Sequence, residues 1–302
     1  MEANAAAATP AVTGTAITTA RTPLLVLALL AVDGLHFVFA RLLHDHLPPL
    51  AAVSLVMLVA TLEIGIPALA TKRLHLDAFV TRAPFFLAIG FLVGLSTSIN
   101  YIAVGFIDPG AASLLSQSSI VFGLTFGLAW FHDRLTRTQL AGAVLCLIGV
   151  AVITFQPGDY FRLGSLMVVG GSLVYALHAA LVKRYGGGLD FVEFFFWRVA
   201  MTACFVLLAA AAQGEFSRTA LTVEAVLLVL LVGTVDVIIS RALYYLALRR
   251  LPISIHTLVF TLSPIVASIW ALALFGTLPS AQQVLGGVIV LVGVLIVSMR
   301  RA

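Results

Sequence analysis

The sequence predicts an all-α integral membrane protein: ten transmembrane helices arranged as two inverted five-helix repeats, with both termini cytoplasmic. Three observations predict it. The chain is 61% hydrophobic and only 10% charged, with a mean hydropathy of +1.12; a soluble domain carries about 25% charged residues. Its apolar stretches are long enough for helical spans and are broken by short polar connections. The stretch from Gly110 to Thr154 also recurs without a gap at Ser254–Ser298, so that Gln139, Gly142 and Gly149 fall on Gln283, Gly286 and Gly293. Such self-similarity at a fixed offset marks an internal repeat.

Residues 1–20 are Ala/Thr-rich without a basic start and read as a disordered cytoplasmic tail. The apolar spans that follow are 23–42, 50–70, 83–106, 109–131, 138–155, 163–183, 191–212, 222–247, 253–275 and 281–299. Helices are required because backbone polar groups in lipid must be satisfied within the segment. The division is a first repeat over 21–155, a linker over 156–162 and a second repeat over 163–302. An odd number of spans per repeat makes the second copy enter the membrane from the opposite side. Inverted repeats with a site near the midplane are a recurring plan of secondary transporters.

Orientation follows from the cations. An inside amino terminus places Arg21, Lys72, Arg73, Arg82, Arg134, Arg137, Lys183, Arg184, Arg249, Arg250, Arg300 and Arg301 on the cytoplasmic side. Only Arg41, Arg162 and Arg218 fall outside, as the positive-inside rule requires. The net charge of +4 therefore reports topology, not a nucleic-acid partner. Cys146 and Cys204 lie within apolar spans and read as buried packing.

The two copies resemble the repeat of the drug/metabolite transporter superfamily, in its ten-helix, EamA-like branch. The first copy carries Phe131-His132-Asp133-Arg134-Leu135-Thr136 and then Gln139-x-x-Gly142; the second carries Leu262-Ser263-Pro264-Ile265 and then Gln283-x-x-Gly286. The resemblance extends over all ten spans. It implies a transporter, not an enzyme, with no cofactor, and with spans 5 and 10 outside the pathway as support or as a dimer contact. The sequence departs from the family pattern in four places. Asp133 and Thr277 replace the turn Glu; Ile120 replaces the helix Pro that Pro264 keeps; Ser54 replaces the Arg kept as Arg198; and Asp33-Gly34 replaces Trp-Gly.

Ionisable groups inside spans are costly and mark pathways or ion pairs. Asp33 and His36, three apart near the midplane of span 1, share a face and suit a substrate site or a proton-coupling pair. Tyr175 and His178 repeat that spacing in span 6 and are cavity-lining candidates as well. Asp236 and Arg241, five apart in span 8, lie about 140° apart on a regular helix and are expected to reach partners on other helices. Asp236, Ser240 and Tyr244 share a face. Asn100 and Gln117 are uncharged cavity candidates, while His256, Phe260, Ser263 and Trp270 form one face of span 9 beside Pro264. Glu63 and Arg198 are candidates for a gating or structural ion pair. There is no P-loop and no Cys/His spacing for zinc, and no catalytic or metal residues are expected.

The favoured expectation is a secondary transporter in a bacterial inner membrane. It exports a small organic solute, an amino acid or related metabolite, by alternating access. Its partners are the small-molecule substrate and the lipid bilayer, with protons a candidate coupling ion, no nucleic acid, and a monomer or homodimer as the assembly. A multidrug or organic-cation exporter is the alternative; a non-transporting membrane subunit or an intramembrane enzyme is the third reading.

Overall fold

A computed structural model describes residues 21–132, 136–155, 159–250, 261–277 and 279–298. Among these residues the regular structure is helical. The α-helices are α1 (Arg21–Asp33), α2 (His36–His44), α3 (Pro49–Ala70), α4 (Leu76–Thr81), α5 (Ala83–Ala103), α6 (Pro109–Ser116), α7 (Ser118–Phe131) and α8 (Arg137–Thr154). They continue with α9 (Asp159–Tyr185), α10 (Phe191–Ala212), α11 (Val223–Val232), α12 (Ser240–Arg250), α13 (Ser263–Phe275) and α14 (Ala281–Ser298). A π-helical segment, Gly233–Ile239, joins α11 to α12.

Nine helical stretches of the described residues are long and apolar enough to cross a membrane, and α13 is a shorter apolar helix. Nine of the expected spans thus have a counterpart. The start of the predicted span 253–275 lies outside the described residues, and α13 represents its remainder.

Several spans are not regular helices. Span 1 breaks between α1 and α2 at Gly34-Leu35, span 4 breaks at Gln117 between α6 and α7, and α13 begins after a turn at Leu262 with Pro264 in its first turn. Proline is tolerated there because the first helical N–H groups need no intrahelical acceptor. Broken helices at membrane depth are stable only where protein or a cavity surrounds the freed backbone groups.

The repeated Gln has a local cause. Thr136 accepts from the Gln139 N–H at 3.2 Å while the Gln139 side chain accepts from the Thr136 N–H at 3.0 Å. Ser280 and Gln283 make the same reciprocal pair at 3.2 and 2.6 Å. Both copies therefore open their last helix with a capping box, which satisfies two of its orphan donors. The preceding helix ends in a left-handed residue in each copy, His132 (φ 55°) and Gly276 (φ 65°).

The repeated glycines let α8 and α14 touch backbone to backbone. A methyl group on Gly142 would sit 2.7 Å from the Gly293 carbonyl oxygen, and one on Gly149 would sit 2.7 Å from that of Gly286. As the first helix rises the partner falls, so the two run antiparallel. Small residues at such crossings are the usual device of membrane helices.

The remaining helices form two sets that pack among themselves. One holds α1, the π segment and α12, the other α5, α6 and α7 around α9; α13 joins the two, packing on α6 as well as on α1 and α2, and α2 also packs on α5 and α6. The α3–α10 pair lies between them and packs on α5 and on the π segment. One cysteine departs from expectation: Cys146 is buried but Cys204 is exposed, because position 204 falls on the outward face of α10.

Candidate functional site

A cavity of about 360 Å³ lies where the two sets meet. That is the lower end of the usual range for small-molecule sites. Its charged groups come from the first set and from α10. Asp33, at the end of α1, accepts a 2.6 Å hydrogen bond from Ser263 Oγ of α13. His36, just past the break, stands with Nδ1 2.8 Å from Asp236 Oδ2. Arg241 of α12 stands near Tyr175 of α9, and the two line the cavity together with Asp33 and Asp236. Arg198 reaches the cavity from α10, its guanidinium 5.3 Å from the Phe195 ring centre.

The π segment explains how Asp236 and Arg241 share this space. On a regular helix five residues leave them about 140° apart. Hydrogen bonding from i to i+5 widens the turn and brings residues five apart round to nearly the same side. Each still meets a partner from another helix, His36 for Asp236 and Tyr175 for Arg241, yet Asp236, Val237, Ser240, Arg241 and Tyr244 all line one cavity. π bulges occur frequently at functional sites.

Ten of the residues singled out in the sequence converge on this cavity: Asp33, His36, Asn100, Gln117, Tyr175, Arg198, Asp236, Arg241, Tyr244 and Ser263. Others do not. His178 is buried beside Tyr175, ring centres 5.3 Å apart, with both ring nitrogens lacking a hydrogen-bond partner, and it stays behind the wall. Trp270 turns away and donates its Nε1–H to the Ala31 carbonyl at 3.0 Å, tying α13 to α1. Glu63 accepts from Thr234 Oγ1 at 2.8 Å and is absent from the lining. His256 and Phe260 lie outside the described residues.

The sequence reading passed over several lining residues. Phe37, Met57, Val93, Ser116, Ser119 and Ser172 also face the cavity. Two carried a usable signal: Ser172 lies three residues before Tyr175, and Ser116 adjoins Gln117. A second cavity, about 670 Å³, lies by the far ends of α2 and α5 and the start of α14. Three of its polar side chains are already engaged. Arg41 donates to the Val104 carbonyl at 2.9 Å, and Gln283 Nε2 donates to Asp108 Oδ2 at 2.8 Å.

The comparisons with known proteins agree with this architecture. The family model of the EamA-like transporter family matches residues 21–155 and again 162–299. The chain is 24% identical over 194 residues to "Uncharacterized transporter YdfC" of Bacillus subtilis (strain 168), covering 62% of each chain. It is 34% identical over 137 residues to "Probable amino-acid metabolite efflux pump" of Salmonella typhimurium (strain LT2), covering 43% of this chain and 41% of that one. The matched stretches thus span less than two thirds of these relatives' lengths. A solved crystal structure shares the fold, with a TM-score of 0.64 at 16% identity, covering 91% of this chain and 96% of the other. With both repeats matched across nearly the whole chain and nine membrane-length apolar helices among the described residues, the protein is a multi-pass membrane protein that belongs to the EamA-like transporter family.

Proposed function

We propose that this transporter exports a small zwitterionic solute, an amino acid or related metabolite, by alternating access between two inverted five-helix repeats. One observation carries the reading: a cavity between two helix sets that holds the carboxylates Asp33 and Asp236 together with the guanidinium groups of Arg198 and Arg241. Opposite charges at a desolvated site suit a solute that carries both an ammonium and a carboxylate. Arg241, near Tyr175, is the group for the carboxylate; Asp33, beside Ser263, is the group for the ammonium. An organic cation would have to enter against two arginines, which weighs against the multidrug alternative. The Salmonella relative's printed name is consistent with this substrate class.

The inverted arrangement draws support from reciprocal contacts. Across a two-fold axis, a contact from i to the partner's j implies one from j to the partner's i. Gly142 meets Gly293 and Gly149 meets Gly286, where Gly142 is the repeat equivalent of Gly286 and Gly149 of Gly293. Likewise Gly90 of α5 packs on Met201 of α10, while Gly233 packs on Val59 of α3, near the repeat equivalent Met57. On this reading the repeats are 21–155 and 163–302, joined by 156–162 after a cytoplasmic tail over 1–20. Both termini lie in the cytoplasm, and the membrane is a bacterial inner membrane. Protons exchanged at Asp33 or His36 are the coupling ion, and the transporter works as a monomer or a homodimer. Transporter folds of this kind rock one bundle against another around a fixed site.

The test is a comparison of metabolites inside and outside cells that carry the protein with those in cells that lack it. Lower intracellular and higher external levels of one or a few amino acids or related zwitterions are expected. Unchanged zwitterion levels with raised resistance to cationic drugs would transfer the protein to the multidrug alternative.

A further inference from the structure

The two cavities stand in line. On three elements a residue of the second cavity lies one helical turn from a residue of the first. Arg41 follows Phe37 on α2, Val104 follows Asn100 at the end of α5, and Pro109 precedes Ser113 on α6. Four residues advance a helix by about 6 Å and return the side chain to nearly the same face. The layer between the cavities is therefore about one turn thick. Ala40, Ala103, Ala111 and Ala112 lie in that turn, all buried, so little bulk separates the two spaces. The bond from Arg41 to the Val104 carbonyl, 2.9 Å long, ties α2 to the end of α5 beside this layer.

The second cavity also holds charges of both signs. Arg41 is its one cation among the described residues, and Asp45 and Asp108 are its carboxylates. Asp108 is committed: Oδ1 accepts from the Ala111 N–H at 2.8 Å as the cap of α6, and Oδ2 accepts from Gln283. Asp45 is exposed, and its carboxylate has no hydrogen-bond or ion-pair partner among the described residues. Arg41 spends one of its five N–H donors on the neutral carbonyl and pairs with no carboxylate among those residues. The two are four apart at the end of α2, where Asp45 keeps helical backbone angles, so both side chains leave from one face. Charge-assisted hydrogen bonds are roughly twice as strong as neutral ones. A carboxylate that enters this cavity thus competes with Val104 for Arg41, and by winning it releases the tie between α2 and α5.

We infer that the second cavity is an outer station for the transported zwitterion, where Arg41 takes the carboxylate and Asp45 the ammonium, and that binding there loosens the layer closing the central cavity. This rests on the zwitterion reading, and on the cytoplasmic termini that put Arg41 at the outer face.

The test reads the two faces separately. Right-side-out and inside-out vesicles from cells making the full-length protein are given a radiolabelled mixture of the standard L-amino acids. KM is then measured at each face for the members that are transported. Arg41→Gln keeps a donor for the Val104 carbonyl but loses the charge. It is expected to raise the outer-face KM by about tenfold or more and to leave the inner-face KM unchanged. Asp45→Asn, at an exposed position that does not put folding at risk, should raise the same outer-face KM by a smaller factor. Arg241→Lys, in the central cavity, should raise KM at both faces and shows what a central effect looks like. An unchanged outer-face KM in both α2 variants, an equal rise at both faces, or a rise confined to the inner face overturns the outer station and leaves the zwitterion reading standing. Failure of the folded, unmodified protein to move any member of the mixture overturns both.

Discussion

His36 Nδ1 lies 2.8 Å from Asp236 Oδ2 although 200 positions separate the two residues. The bond joins the start of α2 to the π segment, so it crosses between the two repeats. His36 is about one-third exposed and Asp236 is buried. The pair is therefore open to the cavity from the histidine side and anchored in protein from the carboxylate side. Removing the carboxylate strands a donor at the cavity wall. Asp236→Leu is expected to lower the initial transport rate in proteoliposomes by about tenfold or more, given that removing one partner of a buried hydrogen-bonded pair costs a few kcal/mol. An unchanged rate would show that the pair is scaffolding only.

Arg241 is the cation best placed for a carboxylate, and its planar fork is not reproduced by an ammonium. Arg241→Lys is expected to raise KM at least tenfold with a smaller change in kcat, and Arg241→Gln to abolish saturable transport. If both variants keep the original KM for the zwitterion, the carboxylate is read elsewhere.

Proton coupling makes a separate prediction. Histidine is the side chain whose charge ordinarily changes between pH 5 and 8, and Asp33 is the neighbouring carboxylate on the same wall. An imposed pH gradient should drive transport by the unmodified protein, and His36→Gln should flatten the rate profile over that pH range. Asp33→Asn should do the same. Profiles that keep their shape in both variants would remove protons from the mechanism.

The α8–α14 crossing leaves no room for a side chain. Gly149→Ala would press a methyl group to 2.7 Å from a backbone oxygen and nitrogen. Overpacking of this kind costs about 1–3 kcal/mol. The variant should melt several degrees lower in detergent, as read by tryptophan fluorescence. The same change at Gly123, which faces open space, is the control and should not lower the melting point.

His132 closes α7 in the left-handed region (φ 55°), where the second repeat uses Gly276 (φ 65°). A non-glycine residue there costs about 1 kcal/mol. His132→Gly should therefore raise the melting temperature slightly without altering transport. A lower melting temperature would mean that the imidazole makes a contact worth more than the backbone strain.

Much of the plan was legible in the sequence because membrane insertion writes length and hydropathy directly into the chain. Nine spans and the repeat glycines follow from that, and so do most of the cavity's charged residues, since a charge in a span has few places to go. Three things were not legible. The spans are apolar all round, so periodicity does not say which face of α9 or α13 meets the cavity; His178 and Trp270, candidates by their positions in the spans, lie outside its lining. The serines of α6 and α7 look like ordinary helix-joining residues, yet Ser113, Ser116 and Ser119 line the cavity. The π segment has no proline to announce it, and a regular helix was the natural expectation for span 8.

That segment also bears on the history of the chain. Gly90 and Gly233 make equivalent close contacts with the other repeat at an offset of 143, whereas Tyr101 and Tyr245 stand at an offset of 144. The second copy thus holds one residue more than the first between these marks, and the π turn lies in that stretch. If the halves descend from one duplicated gene, that gain ended their equivalence at the place where Asp236 sits. The second copy could no longer be exchanged for the first, and the carboxylate it aims at His36 has no counterpart that a repaired, regular helix would supply.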